Sequence, residues 1–585
     1  MTARTVRIGG ASGFWGDTAL AVPQLLAGGE VDYLVFDYLA EVTMSILAAQ
    51  RAKDPGAGYA HDFVQIMMRE ALPQLQARGI RVIANAGGVN PLACRDALMK
   101  LAAELDVTIK VGVVLGDDLV TRASAFRDAQ VVEMFSGAPF PQRVASVNAY
   151  LGALPIARAL DAGCDVVITG RCVDSAVTLG VLMHEFGWAA DAYDRLAQGT
   201  LAGHLIECGA QCTGGLFTDW GTVPDWENIG FPIVEASADG SFVITKAPGT
   251  GGLVTPATVA EQLLYEIGDP RAYLMPDVSC DFTAVRMVQQ AEHRVHVSGA
   301  IGRAPTAQFK VSATYADGYR NTGFLTIAGA DAVPKAQRTG AALLTRMQRM
   351  LEEHGLPPFT ETRVEVLGGE EMFGANARGG AREVVLKMSA KSGSKDSLEL
   401  FAREFVPAAT SMAPGTLGLV GGRPSPTPVV RLFSFLLDKS SIAVEIDVGG
   451  ERSAVAIPLQ GGFDAAALGP ARSHASATAG TERRGPLIAF AHGRSGDKGN
   501  NANIGIVARR AEDLPALSAW LTPERVAAHF AHRAPSRVER FDLPGLNAIN
   551  FVLHDVLGGG GMASLHTDNL AKAYAQVLLA MEVVI

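Results

Sequence analysis

With 585 residues, 48% apolar and 19% charged side chains, the chain is too long for one ordinary core and too apolar for disorder, so two or three folded domains are expected. The formal net charge of −10 is spread along the sequence without a dense Lys/Arg stripe, which argues against nucleic acid or an anionic membrane surface as partner. There is no apolar run of about 18 residues and no signal-peptide pattern in MTARTVRIGG, and six scattered cysteines make no disulfide framework; a reduced, cytoplasmic protein that crosses no membrane is the expectation.

In chain order, VRIGG reads as a strand, DTALAVPQLLAGG as a helix ending at its glycines, and VDYLVFD as a strand ending at Asp37. The rhythm returns in IRVIANAGG, VTIKVGVVLGDD and CDVVITGRCVD. Strands alternating with helices predict an α/β fold with a parallel sheet over residues 1–268. In such folds ligands gather at the carboxyl ends of the strands, which singles out Asp37, Glu41, Asn85, Asn90, Asp117, Asp118, Arg171 and Asp174. From residue 269 to 465 the pattern changes to antiparallel-looking stretches such as HRVHVSGAIG and QFKVSATYADGYRNTGFLTIAG around the helix AVPKAQRTGAALLTRMQRMLEEHG, an α+β region. Residues 466–486, rich in Ala, Ser, Thr and Gly, read as a linker, and residues 487–585 as a small α/β unit closing on a helix with a strand-like tail.

Four constellations carry candidate chemistry. In GGASGFWGDTAL, Gly10, Gly13 and Gly16 depart from the dinucleotide spacing G-x-G-x-x-G, and Phe14 and Trp15 occupy the loop; a ligand-lining loop or a structural turn fits better than a nicotinamide or flavin site. In FDYLAEVTM, Asp37 and Glu41 share a face if the chain turns helical at once, and paired carboxylates suit acid–base work, though a solvated first turn would look the same. In VVITGRCVDSAVTLG, Arg171 is placed to clamp a carboxylate or phosphate and Asp174 to cap the helix that follows; LIECGAQCTGG adds Glu207 beside Cys208, the latter read as packing rather than nucleophile. The Cys208/Cys212 spacing alone is a weak metal signal, and no metal is expected. Finally, HGRSGDKGNNANIGIVAR sets Arg494, Ser495, Asp497, Lys498, Asn500 and Asn503 among glycines between two apolar runs, more polar groups than a turn needs. Three readings stay open for it: an anion-binding loop, a domain interface or a stabilised hairpin. LGGGGMASLHTDN, with four glycines in a row, is its companion.

Taken together, GGASGFWGD, IANAGGVNP, VVITGRCVDSA, ECGAQCTGG, KVSATYADGYR, GGRPSPTPVVRLFS and above all HGRSGDKGNNANIGIVAR resemble the acyclic terpene utilisation protein A (AtuA) family over nearly the whole chain. The resemblance implies a C-terminal ferredoxin-like domain and a setting in the catabolism of acyclic terpenes and branched acids, carried as coenzyme A thioesters beside biotin-dependent acyl-CoA carboxylases. It transfers no catalytic residues. The expectation is therefore a lyase or hydratase using acid–base chemistry on an acyl-CoA, with coenzyme A entering as part of the substrate and no separate cofactor. Asp37, Glu41, Arg171, Asp174 and Glu207 are the catalytic candidates. Gly10, Gly13, Gly16, Asn85 and the 494–503 residues are the ligand-binding candidates. The alternative is a non-catalytic partner or assembly factor of an acyl-CoA carboxylase. A homo-oligomer is expected, and carboxylase subunits are the candidate protein partners.

Overall fold

Short apolar runs, each closed by a polar residue or glycine, set the centre of the molecule. In the computed structural model, which describes residues 4–28, 30–419, 421–468 and 483–585, they form β1 (Thr5–Ser12), β2 (Tyr33–Phe36), β3 (Arg81–Ala84), β4 (Val111–Leu115) and β6 (Val166–Thr169), while β5 (Ser146–Ala149) joins a different sheet. β1, β2, β3, β6 and β4 lie side by side in that order, and every pairing among them is parallel. Placing β6 between β3 and β4 reverses the strand order there, the kind of point where α/β folds open a crevice at the carboxyl edge. Ile8, Leu34, Ile83, Val113, Val167 and Ile168 are fully buried, each removing apolar surface worth about 1.5–3 kcal/mol from water.

The sheet is mixed rather than purely parallel. Antiparallel strands extend it at both edges, to eleven in all: Pro232–Ser237, Phe242–Lys246, Arg294–Ser298 and Arg286–Ala291 beyond β1, and Glu445–Val448 with Glu451–Ala454 beyond β4. The expected division at 268/269 thus runs through this sheet, which recruits strands from both sides of it. A second sheet is built on one strand, Gln308–Ala328, read from sequence as several strands and turns; it stays extended for 21 residues and pairs antiparallel with β5, Glu383–Ser392, Thr416–Leu419 and Thr427–Asp438. The amphipathic helix Ala332–Glu353 covers this sheet with Ala336, Leu343, Met347 and Leu351 inward.

The C-terminal unit is an antiparallel sheet of four strands, Ala491–Lys498, Asn501–Ala508, Ala548–Leu553 and Val538–Leu543 in spatial order, packed on short helices. Of the expected 466–486 linker, residues 469–482 lie outside the described residues; Arg484–Pro486 pairs with Glu582–Val584. Among the described residues, no helix is long and apolar enough to cross a membrane.

Candidate functional site

The parallel register delivers polar residues to one edge. Asp37 follows β2, Asn85 follows β3, Asp117 lies two residues past β4 and Arg171 two past β6. Asn85 is fully buried and acts through Asp37: its Nδ2 donates to Asp37 Oδ1 at 2.5 Å while its Oδ1 accepts the Tyr38 amide at 2.7 Å. Ser12 at the end of β1 donates to the Asp37 carbonyl at 3.0 Å. The chain stays non-helical from Asp37 to Ala40, and the helix Glu41–Lys53 begins only at Glu41, so the i, i+4 helical face expected for Asp37 and Glu41 does not form; the Glu41 side chain is outside the described residues.

Arg171 is 4% exposed. Its Nη1 donates to Asp174 Oδ1 at 2.7 Å and to the Cys172 carbonyl at 2.6 Å, and its guanidinium lies 4.2 Å from the Tyr150 ring centre, with Lys310 Nζ at 4.7 Å from the same ring. Asp174 is thereby a partner of Arg171, and makes no side-chain cap of the helix Ala176–Phe186. At 36% side-chain exposure it marks where the cluster meets solvent. Asp117 braces the Arg171 turn from behind: its Oδ2 accepts the Arg171 amide at 2.8 Å and Asn148 Nδ2 at 2.9 Å, and burial pushes its carboxyl up to about 7. Any side chain at Gly170 would fall 2.5 Å from that carboxyl, so only glycine fits.

Glu207, at the end of the helix Tyr193–Ile206, belongs to a pair that sequence reading missed. His204 is buried; its Nε2 lies 3.0 Å from the Leu263 carbonyl and its Nδ1 3.0 Å from Glu207 Oε1. A carbonyl only accepts, so Nε2 carries a hydrogen, and one further proton is shared between Nδ1 and the carboxyl. Burial holds the Glu207 carboxyl above its ordinary range; for His204, burial is outweighed by the hydrogen bond and charge of Glu207, and the imidazole is raised too. Glu207 Oε2 is buried without a hydrogen-bond partner among the described residues. Asp37, Asp174 and Glu207 feel one another: burial first, then the charges of Asp174 and Glu207, push Asp37 well above the usual carboxylate range against the pull of Asn85 and Arg171. The three-residue spacing of His204 and Glu207, which puts them on one face once the segment is helical, was the available signal for the pair.

The N-terminal glycines serve close packing. A Cβ at Gly10 would lie 2.8 Å from the Ile206 carbonyl oxygen, and one at Gly13 would lie 2.6 Å from the Cys208 carbonyl carbon. The Gly13 amide is taken by Asp17 at 2.8 Å, and Gly16 turns the chain at φ 99°. These glycines let the loop lie against the segment carrying Glu207 and Cys208. The Cys208 thiol is held well above its ordinary value by burial and then by the charges of Glu207, Glu266 and Asp37, an unfavourable setting for a nucleophile.

The 492–503 segment, expected as a loop, is mostly strand, turning only at Gly499–Asn500. Its side chains are spent on neighbours. Arg494 is 6% exposed, bonds Gln211 Oε1 and stacks 4.9 Å from the Tyr265 ring centre. Ser495 Oγ donates to the Ala571 carbonyl at 2.6 Å and accepts the Ala575 amide at 2.8 Å. Asn503 bonds the Leu264 carbonyl at 2.6 Å and the Glu266 amide at 2.9 Å. Asn500 ties Asp555 and the Gly559 amide. A Cβ at Gly496 would strike the Tyr265 ring at 2.5 Å and one at Gly505 the Leu264 side chain at 2.4 Å, so glycine lets the hairpin lie flat on this segment. Half-buried Asp497 precedes Lys498, which is 55% exposed, lies 3.5 Å from Glu266 and contributes positive field at both His204 and Glu207. The hairpin thus carries a cation to the edge of the carboxylate cluster. Among the described residues, no group of three or more His, Cys, Asp or Glu side chains is placed to hold a metal ion.

No curated protein and no solved structure matches the chain. The model of the acyclic terpene utilisation family protein AtuA matches residues 6–448, which hold Asp37, Arg171, Asp174 and Glu207, and the model of the AtuA ferredoxin-like domain matches residues 485–584, which hold the hairpin. With most of its length covered by these two consecutive matches, the chain belongs to the AtuA family of acyclic terpene utilisation proteins.

Proposed function

We propose that the protein is a lyase or hydratase of acyclic terpene and branched-acid catabolism, acting on a coenzyme A thioester by acid–base chemistry. The observation that carries this reading is the convergence of Asp37, Asp174 and the Glu207–His204 pair in one another's field at the carboxyl edge of the parallel strands. Burial favours the protonated form of a carboxyl, the form that can donate; a Glu–His pair sharing one proton can take one up or release it with little penalty. In an elimination, Glu207–His204 removes the proton α to the thioester carbonyl, its electron pair forms the double bond, and Asp37 protonates the departing hydroxyl, which leaves as water. Hydration is the reverse. Arg171, held by Tyr150 and Asp117, orients the carbonyl or a second carboxylate of the substrate.

A panel of branched 3-hydroxy and 2,3-unsaturated acyl thioesters, followed by mass spectrometry with and without divalent metal, tests the reading. Gain or loss of 18 mass units, or cleavage of the acyl chain, is expected for at least one member, and Asp37→Asn and Glu207→Gln should each lower turnover about 100-fold or more, in line with lost general catalysis. Their melting temperatures should stay near wild type. An unreactive panel, or full activity in both variants, would overturn it.

A further inference from the structure

Behind the hairpin turn, where the C-terminal unit meets the second sheet, lies a cluster the mechanism above does not use. Glycines 558–561 take four consecutive positive φ values, 62°, 93°, 69° and 46°, a path open only to glycine. A Cβ at Gly560 would fall 1.9 Å from the Gly499 carbonyl oxygen, so the run is pressed against the hairpin turn. Gly558 and Gly559 are exposed. Around them stand Arg320, Arg363, Lys387, Arg431 and Arg533: Arg320 bonds the Ser564 carbonyl at 3.3 Å, Arg431 Nη1 comes within 3.5 Å of where a Gly559 side chain would begin, and Arg533 Nη1 bonds His566 Nδ1. The carboxylates among them are committed. Glu365 holds Lys387 at 2.7 Å and Arg363 at 3.0 Å, Asp317 holds Arg431, and both Asp568 oxygens take amides at 2.8 Å, those of Lys572 and Ala573. Arg363, Lys387 and Arg431 are thus paired with carboxylates, and Asp555, three residues before the glycine run, is held by Asn500 at 3.1 Å and by Ser536.

Two details point to a ligand. Arg533 is 6% exposed, and its Nε is buried with no hydrogen-bond partner among the described residues. An arginine only donates, so its bond fixes His566 as the tautomer with the hydrogen on Nε2, and Nε2 lies 3.1 Å from where a Gly558 side chain would begin, facing the glycine run. Burial and the charges of Arg363 and Arg533 push that imidazole down to about 4, so it is a neutral donor at physiological pH. Forked arginine donors beside a neutral imidazole N–H suit the tetrahedral oxygens of phosphate.

We infer that this junction is a phosphate-binding site, in which Arg320, Arg431 and Arg533 and the Nε2–H of His566 hold a phosphate monoester or diphosphate against the glycine run. The inference stands apart from the acid–base chemistry, because its readout is binding and not turnover.

Calorimetric titration of the full chain at fixed ionic strength with inorganic pyrophosphate, coenzyme A and citrate tests it. Binding of pyrophosphate and of coenzyme A is expected, both tighter than citrate. Equal affinities would identify the phosphates alone as the recognised group, and much tighter coenzyme A binding would add its nucleoside and arm. Arg431→Gln, His566→Asn and Arg320→Gln should each weaken pyrophosphate about tenfold with unchanged melting, and Arg431, 37% exposed, supplies the variant least able to disturb the fold. No phosphate binding at millimolar concentration, citrate binding as tightly as pyrophosphate, or undiminished affinity in folded Arg431→Gln and His566→Asn would each overturn the assignment.

Discussion

Asp37 and Arg494 are both sealed from water, 8% and 6% exposed, yet their surroundings are opposite. Burial, and then the like charges of Asp174 and Glu207, raise the Asp37 carboxyl. Arg494 has a side-chain amide, an aromatic face and nearby acids to hold it in place. The same contrast separates the strand-end cluster from the seams of the C-terminal unit as a whole. At the seams, Lys387, Arg494, Ser495 and Asn503 are paired and act as fasteners; at the strand ends, like charges are crowded together, which costs stability and is typical of sites that do chemistry.

The largest expected effect lies at a seam. Glu365, 1% exposed, is drawn down to about 2: burial opposes this, but the bonds from Lys387, Thr567 and Arg363 prevail. Its stabilising contribution is present above the unfolded carboxyl range and is lost as pH falls through 2. Glu365→Gln leaves Lys387 buried without its counter-charge and should cost about 3–5 kcal/mol in denaturant unfolding at pH 7. A loss under 1 kcal/mol would erase the distinction between seam and site. Arg494→Ala should follow at about 2–4 kcal/mol, for it removes a buried, stacked and hydrogen-bonded cation. The discriminating measurement is limited proteolysis within residues 483–585, which should accelerate if the hairpin holds the C-terminal unit in place.

Glu261 sharpens the comparison because it is a seam residue with a site-like environment. It is 3% exposed, and burial pushes its carboxyl up to about 7 despite the Thr218 amide. A carboxyl raised in the folded state gives its full support below the unfolded range near 4.5 and loses it as pH rises through 7. Wild type should therefore melt lower at pH 8 than at pH 5, and Glu261→Gln should flatten that slope, with a difference on the order of 2 kcal/mol between the two pH values. Lys498→Ala should have the smallest effect on the fold, within about 1 kcal/mol, because its pairing with Glu266 is exposed. Its field lowers the Glu207 carboxyl, so removing it should move the acidic limb of a pH–rate profile upward. An unmoved limb would confine Lys498 to the seam.

The strand ends were legible because each parallel strand is a short apolar run closed by a polar residue or glycine; Asp37, Asn85 and Arg171 stand where that pattern puts them. His204 was not, because a lone histidine in an apolar helix looks like core until its partners at Glu207 and Leu263 are seen. The surplus of polar groups in 492–503 was visible, but its purpose was not: Asn503 satisfies a carbonyl 239 positions away, a pairing no local pattern encodes. Gly10 and Gly13 looked like a ligand loop for the same reason, since the backbone they must clear at Ile206 and Cys208 is equally distant in sequence. The mixed sheet was hidden because its flanking strands come from residues 232–298 and 445–454, where alternation alone does not say which sheet a strand will join.

The flanking strand Glu445–Val448 has a consequence for synthesis. It covers the edge of β4, whose residues 111–114 are buried, and it reaches the ribosome's exit more than three hundred residues after them. Until then a growing chain carries an apolar strand with an open ladder, a surface that other nascent chains can pair with. Messages truncated before residue 445 should therefore yield aggregates rather than a soluble N-terminal fragment, and holdase chaperones should bind most persistently in that interval of translation.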